Sequence, residues 1–292
     1  MIIIRVKKVN GFTELPDGGN PAGVLLNSPP LTEKQMIFIT RELKVSETAF
    51  VSTSKKADYK TRFFSPNGEV DLCGHGTIAA FYTMALQGDF NSDGKIVVTQ
   101  ETKAGILPVE IEFTKFKKID KVMMYQSKPI LRGVDIDTHI LADSLNISNE
   151  EIDDSLPQQI VSTGLFTLPI CIKSLETLRN IKPDFRKIEN ICTKIGAGSF
   201  HLFCFETIGK ESLYHARNFA PIYGINEDPT TGTANGAVCS YLTKNNITKD
   251  GSFICEQGDV IGRPGRVFVE INRDVVKVGG KARVIEEREI IV

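Results

Sequence analysis

The 292-residue chain has no run of five or more like charges, and its 35 basic and 36 acidic residues nearly cancel. Such a surface offers little to nucleic acid or anionic lipid, so neither is expected as a partner and a small molecule is the better assignment. No apolar stretch approaches the roughly 20 residues that a membrane helix needs. The opening Met1-Ile2-Ile3-Ile4-Arg5-Val6 has a short apolar run and no small-residue cleavage site, so it reads as a first strand rather than an export signal. None of the six cysteines, Cys73, Cys171, Cys192, Cys204, Cys239 and Cys255, sits in a C-x-x-C pair that would indicate zinc or a redox dithiol. Most lie in apolar stretches, where a reduced cysteine acts as a small hydrophobe, which fits a reducing cytoplasm. His139, His201 and His215 are not clustered at ligand spacing and read as structural or exposed, so no metal is expected.

What the chain does contain is an internal repeat, the feature to seek first because it organises a fold. Tyr59-Lys60-Thr61-Arg62-Phe63-Phe64-Ser65-Pro66 and Tyr214-His215-Ala216-Arg217-Asn218-Phe219-Ala220-Pro221 share the pattern Y-x-x-R-x-F-x-P. Each leads within about ten residues to a glycine turn that opens an apolar segment, Cys73-Gly74-His75-Gly76-Thr77 in one copy and Thr231-Gly232-Thr233-Ala234 in the other. Upstream, Thr32 with Gln35 forms a capping-box pattern, and Asp184 precedes a 3.6-period run of Phe185, Ile188, Ile191, Cys192 and Ile195. Both helices lead into strand-like runs, Ala49 to Val51 and Phe200 to Phe205. Downstream, Gln100 lies 27 residues after Cys73 and Gln257 lies 26 after Thr231, each opening a hairpin, Gly105 to Ile111 and Gly262 to Ile271.

Ile78 to Leu86 and Ala237 to Leu242 are apolar on nearly every side, so each predicts a buried helix. The expected fold class is α+β: two pseudo-symmetric domains, each a curved, mostly antiparallel sheet wrapped around a central helix. The boundaries read as 1–118 and 119–292, with the last strand able to join the first domain.

Duplication preserves what folding needs, so residues present in one copy alone are the candidates for chemistry. Glu47 stands 12 residues before Tyr59, and the residue 12 before Tyr214 is Leu202. His75 corresponds to Thr233 and Cys73 to Thr231, while the second turn is longer and contains Glu227-Asp228. These differences predict one asymmetric site at the amino ends of the two central helices. There Gly74, His75 and Gly76, with Gly232, Thr233 and Ala234, can hold a carboxylate or a developing enolate-like oxygen. A glutamate beside such a site can take a proton from an activated carbon if burial raises its pKa toward neutrality.

Alternatives stand beside each of these readings. Glu47 can be a surface glutamate at a strand start, His75 a helix-start residue satisfying backbone groups, and Asp228 a cap for the following helix. Cys73 can be a reactive thiol at a helix amino terminus or only a small residue at a tight turn. Arg62 and Arg217, present in both copies, read as structural ion-pair residues. The segments Phe12 to Asn20 and Val161 to Leu168 read as loops that set specificity, with Phe12 and Phe166 either stacking on a ring or serving as core.

Ser46-Glu47-Thr48-Ala49-Phe50, Arg62-Phe63-Phe64-Ser65-Pro66, Cys73-Gly74-His75-Gly76-Thr77 and Phe219-Ala220-Pro221 with Glu227 to Thr233 resemble the phenazine-biosynthesis PhzF family, as does Gly19-Asn20-Pro21-Ala22-Gly23. The resemblance covers essentially the whole chain and implies a diaminopimelate-epimerase-like fold. It implies a cofactor-independent, metal-free, homodimeric isomerase similar to trans-2,3-dihydro-3-hydroxyanthranilate isomerase. Carried over, Glu47 shuttles a proton while His75 and Asp228 assist, and the backbone around Gly74 and the residue at Thr233 contact the substrate carboxylate; Asn20, Cys73, Gly76 and Gly232 are expected to contact the substrate with them. Cys73 departs from that pattern and resembles the two-thiol epimerases and racemases. An epimerase using Cys73, with Thr231 in the second thiol's position, is therefore one alternative, and a non-catalytic metabolite-binding protein is another.

Overall fold

The computed structural model describes residues 2–90 and 92–292, and the chain falls into two units, 1–125 with 279–292, and 126–278. Both are mixed α+β. Among the described residues no helix is long and apolar enough to cross a membrane.

In the first unit the strand Ile3–Gly11 pairs antiparallel with both the last strand, Ala282–Ile291, and Asn20–Leu25. Asn20–Leu25 then runs parallel to Glu47–Thr53, placing Ala22 opposite Glu47. Glu47–Thr53 is antiparallel to Tyr59–Ser65, which runs parallel to Lys95–Thr102, itself in a hairpin with Gly105–Phe113. The helix Glu33–Leu43 starts with the capping box that Thr32 and Gln35 predict, and ends at Lys44 in the left-handed region.

The central helix is Gly74–Gln87, in which every residue from Gly76 to Ala85 is buried. It packs on strands to several sides, including Ile3–Gly11, Asn20–Leu25, Glu47–Thr53 and Ile119–Tyr125. A helix without a polar face gains stability only in such a wrap, where each fully buried large side chain contributes about 1.5–3 kcal/mol.

The second unit repeats the plan. Phe166–Cys171 runs parallel to Ser199–Cys204, which is antiparallel to Tyr214–Ala220. Tyr214–Ala220 in turn runs parallel to Gly251–Gln257, which forms a hairpin with Gly265–Asn272. The alternation of parallel and antiparallel neighbours is the same as in the first unit, and each Y-x-x-R-x-F-x-P motif is the strand at its centre. Asp184 caps the helix Phe185–Ile195 by accepting the Arg186 and Lys187 N–H groups. The second central helix, Gly232–Lys244, is buried from Ala234 to Leu242.

One expectation changes. Val161 to Leu168 is mostly strand rather than loop, Gln159–Ser162 and Phe166–Cys171 being joined by residues 163–165 alone. The buried Ile160, Val161, Leu168 and Ile170 account for this, since they require a sheet on both sides of the Thr163-Gly164 turn. Of the two readings open for Phe12, its 1% exposure decides for the core, whereas Phe166 is half-buried and lines a cavity.

Candidate active site

Cys73 begins the first central helix as its N-cap, in extended conformation, and its sulfur accepts the Gly76 N–H at 3.3 Å. The sulfur thus takes the place of the usual capping oxygen. Gly76 is required sterically: a Cβ there would lie 2.9 Å from Cys73 Sγ and 3.3 Å from two ring carbons of Phe63. Gly74 has no such neighbour. The first turn carries His75 over the start of the strand Glu47–Thr53, where Nε2 lies 3.2 Å from Glu47 Oε2. Cys73 Sγ is 3.6 and 3.7 Å from the two ring nitrogens and 3.9 Å from Glu47 Oε2.

Glu47, Cys73 and His75 therefore form one cluster. Glu47 is 23% and His75 14% exposed in their side chains, and Cys73 is buried. Ser46, which sequence reasoning passed over, has its hydroxyl 3.4 Å from His75 Nε2. Its signal was adjacency to Glu47 in a strand-start position. Asn20 is buried one strand away, at the end of the strand whose Ala22 faces Glu47.

The electrostatics correct one expectation. Burial does push the Glu47 carboxyl up, but the hydrogen bond and charge of His75, with hydrogen bonds from Ser46 and Cys73, outweigh it, so its pKa lies below the ordinary glutamate value. Burial pushes the His75 ring down, yet its contacts with Cys73 and Glu47 reverse this and hold it well above an ordinary histidine. The pairing thus favours the carboxylate form of Glu47 and the imidazolium form of His75.

Asp228, Gly232 and Thr233 form a second group, in the second unit. Thr231 is the N-cap residue of the second central helix, the position Cys73 holds in the first, and its hydroxyl donates to Asp228 Oδ2. Gln257 clamps this turn: its Oε1 accepts the Thr231 N–H at 3.1 Å, and its Nε2 donates to the Asp228 carbonyl at 2.8 Å. Asn235 donates to the same Gln257 oxygen at 2.8 Å. Sequence spacing marked Gln257 as a repeat position without revealing this role. Asp228, Thr231 and Thr233 line a cavity of about 130 Å3 with Phe166, Ser199 and Tyr223. Arg132 lies over the Phe166 ring, 4.4 Å from its centroid.

The arginines present in both copies of the repeat are structural. Arg62 pairs with Glu69 through two bonds of 2.7 and 2.8 Å, and Arg217 pairs with Glu227 through two bonds of 2.9 and 2.8 Å. Leu202, the counterpart of Glu47, is fully buried in an aliphatic cluster with Phe200 and Phe219. Among the other histidines, His139 is exposed, while His201 and His215 are buried.

Residues 9–288 match the family model for phenazine biosynthesis-like protein, PhzC-PhzF. An isomerase of Bacillus subtilis, YfhB, is 38% identical over 281 residues, covering 96% of this chain and 93% of its own. The trans-2,3-dihydro-3-hydroxyanthranilate isomerase of Pseudomonas fluorescens is 27% identical, covering 90% of this chain and 88% of its own. The crystal structure of a PhzF-family phenazine biosynthesis protein from Bacillus anthracis superposes with a TM-score of 0.90 at 33% identity and full coverage of both chains. More distant epimerases share the fold. With a family model spanning nearly its whole length and relatives that are themselves isomerases, this chain is an isomerase of the phenazine biosynthesis-like family.

Proposed function

We propose that the enzyme moves a proton between two carbons of a small unsaturated or cyclic carboxylic acid, with Glu47 as the single acid–base group. The observation that carries this reading is the 3.2 Å contact between Glu47 and His75 at the start of a buried helix. The carboxylate takes the proton from one carbon and returns it to another on the same face. The imidazolium beside it and the positive end of the helix stabilise the negative charge that develops on the substrate. Gly74 lets the backbone approach the substrate carboxylate, with Cys73 and Asn20 bordering it, while Gly76 makes room for the Cys73 sulfur and the Phe63 ring. Asp228, Gly232 and Thr233 are assigned to the substrate-holding groups of the second unit.

The Pseudomonas fluorescens relative acts on trans-2,3-dihydro-3-hydroxyanthranilate, and that compound is the first substrate to test. Deuterium entry from D2O, followed by NMR over this compound and a panel of unsaturated acids, identifies the substrate. Glu47→Gln should then fold normally and lose exchange by at least a hundredfold. Near wild-type exchange in that variant refutes Glu47 as the carrier.

The presence of Cys73 in the cluster favours a second reading, a thiol-based epimerase. Against it, the equivalent residue of the other unit is Thr231, whose hydroxyl is engaged by Asp228. Inversion of a stereocentre abolished by Cys73→Ser would establish it. The family resemblance further implies a homodimer, and the buried, apolar surroundings of the cysteines suit a reducing cytoplasm. Sedimentation at the mass of a single chain would refute the dimer.

A further inference from the structure

We propose that Glu47, Cys73 and His75 form a three-ligand site for a borderline-soft divalent cation, Zn2+ foremost, and that its occupancy blocks the enzyme. The ligand atoms of these residues all lie within 4.8 Å of one another. Glu47 Oε2 to His75 Nε2 is 3.2 Å, Cys73 Sγ to Nε2 is 3.7 Å, and Sγ to Oε2 is 3.9 Å. A tetrahedral ion about 2.3 Å from sulfur and about 2.0–2.1 Å from nitrogen and oxygen spaces sulfur about 3.6 Å from the other two, and these about 3.3 Å from each other. The three edges match that triangle to within about 0.4 Å, and because Sγ lies as near to Nδ1 (3.6 Å) as to Nε2, the ring turns on binding to aim its Nε2 lone pair at the ion.

The donor set selects the metal. Sulfur and imidazole favour zinc over magnesium or calcium, which require oxygen cages. The partial exposure of Glu47 and His75 gives the ion a route in, and three protein ligands leave the fourth position to water. The positive end of the helix opposes a cation, which keeps the site weaker than a structural zinc centre. On binding, the Zn–S bond forms as the Cys73 S–H proton leaves to solvent, any ring proton at Nε2 leaves likewise, and no electron changes hands. The carboxylate oxygen that faces His75 is then held by the metal and cannot accept a proton from carbon.

The test is a titration of Co2+ into the reduced, chelator-stripped full chain. One equivalent should give a thiolate-to-cobalt charge-transfer band in the near ultraviolet, and Zn2+ should displace it stoichiometrically. Cys73→Ser should abolish the band, and Glu47→Gln and His75→Gln should each weaken Zn2+ binding at least tenfold by calorimetry. No band in the wild type, a band retained in Cys73→Ser, or unchanged Zn2+ affinity in either other variant overturns the site. Proton exchange that persists with the site filled overturns the block. Binding is read without turnover, so a site that fills as described in a protein whose Glu47→Gln variant still exchanges would refute Glu47 as carrier and leave the metal site standing.

Discussion

Replacing Gly76 and Gly74 by alanine should have opposite effects, although both lie in one helical turn. At Gly76 the new methyl would sit 2.9 Å from Cys73 Sγ and 3.3 Å from the Phe63 ring. Phe63 is 1% exposed and held on all sides, so the sulfur must give way. Moving it breaks the cap to the Gly76 N–H, worth about 0.5–2 kcal/mol, and overpacking of this kind adds about 1–3 kcal/mol. Alanine returns about 1 kcal/mol through helix propensity, and Gly76 is not among the residues with positive φ, so the backbone itself accepts it. The net expectation is a loss of about 0.5–4 kcal/mol, with catalysis reduced at least tenfold as Cys73 pushes on His75. At Gly74 the methyl meets nothing within 4 Å, and the change should be neutral or stabilising by up to about 1 kcal/mol. Urea unfolding monitored by far-ultraviolet circular dichroism compares the two. A Gly76→Ala protein as stable as Gly74→Ala would refute the steric argument.

The duplicated ion pairs give a matched comparison: Arg217 is 6% exposed and also donates to the Leu178 and Ile181 carbonyls, whereas Arg62 is 27% exposed. Arg217→Gln should lose about 3–5 kcal/mol and Arg62→Gln about 1 kcal/mol by urea unfolding, and equal losses would contradict the burial argument. Glu256 is fully buried, and although burial pushes its carboxyl up, the His215 ring and the Ile208 and Gly209 amides bring it down to about 2. A lowered pKa stabilises above the ordinary glutamate value and is lost as pH falls, so on the order of 3 kcal/mol should disappear between about pH 4.5 and 2. Glu256→Gln should flatten stability over that window, and a parallel acid profile would refute it. Phe81→Ala, in the middle of the first central helix and fully buried, should lose about 3–5 kcal/mol in calorimetry or urea unfolding, and a loss below 1 kcal/mol would show that the helix is not a core element.

The α+β class was legible because the repeat carries its own register. Y-x-x-R-x-F-x-P is the central strand of each unit, and the arginine in both copies meets a carboxylate supplied shortly downstream, Glu69 or Glu227. The two central helices were legible because a run without a polar face can only be buried. The contacts around Glu47 were not, because they depend on a strand pairing that puts residue 47 opposite residue 22 and on a helix start that aims residue 75 at it. Nothing in spacing alone shows that the Cys73 sulfur caps its own helix, or that Gln257 closes the turn of Asp228 and Thr231. The direction of the Glu47 pKa was not legible for the same reason: burial is visible as a tendency, while the opposing imidazole is a matter of ångströms.

That direction constrains the proposed reaction. A carboxylate held below its usual value is a weaker base, so a glutamate paired with an imidazolium cannot rely on its own basicity. The barrier must then be lowered from the substrate side. A carbon acidified by conjugation with a carboxylate or a ring π-system meets that need, and the imidazolium that weakens the base also stabilises the anion formed. The α-carbon of a simple amino acid is a far weaker carbon acid and asks for a stronger base than this one. The same pairing therefore favours an unsaturated or cyclic acid over an amino-acid epimerase substrate. It also predicts that saturating the conjugated bond of the true substrate abolishes deuterium exchange while binding persists, whereas exchange at an undiminished rate in the saturated analogue would refute this account of how Glu47 acts.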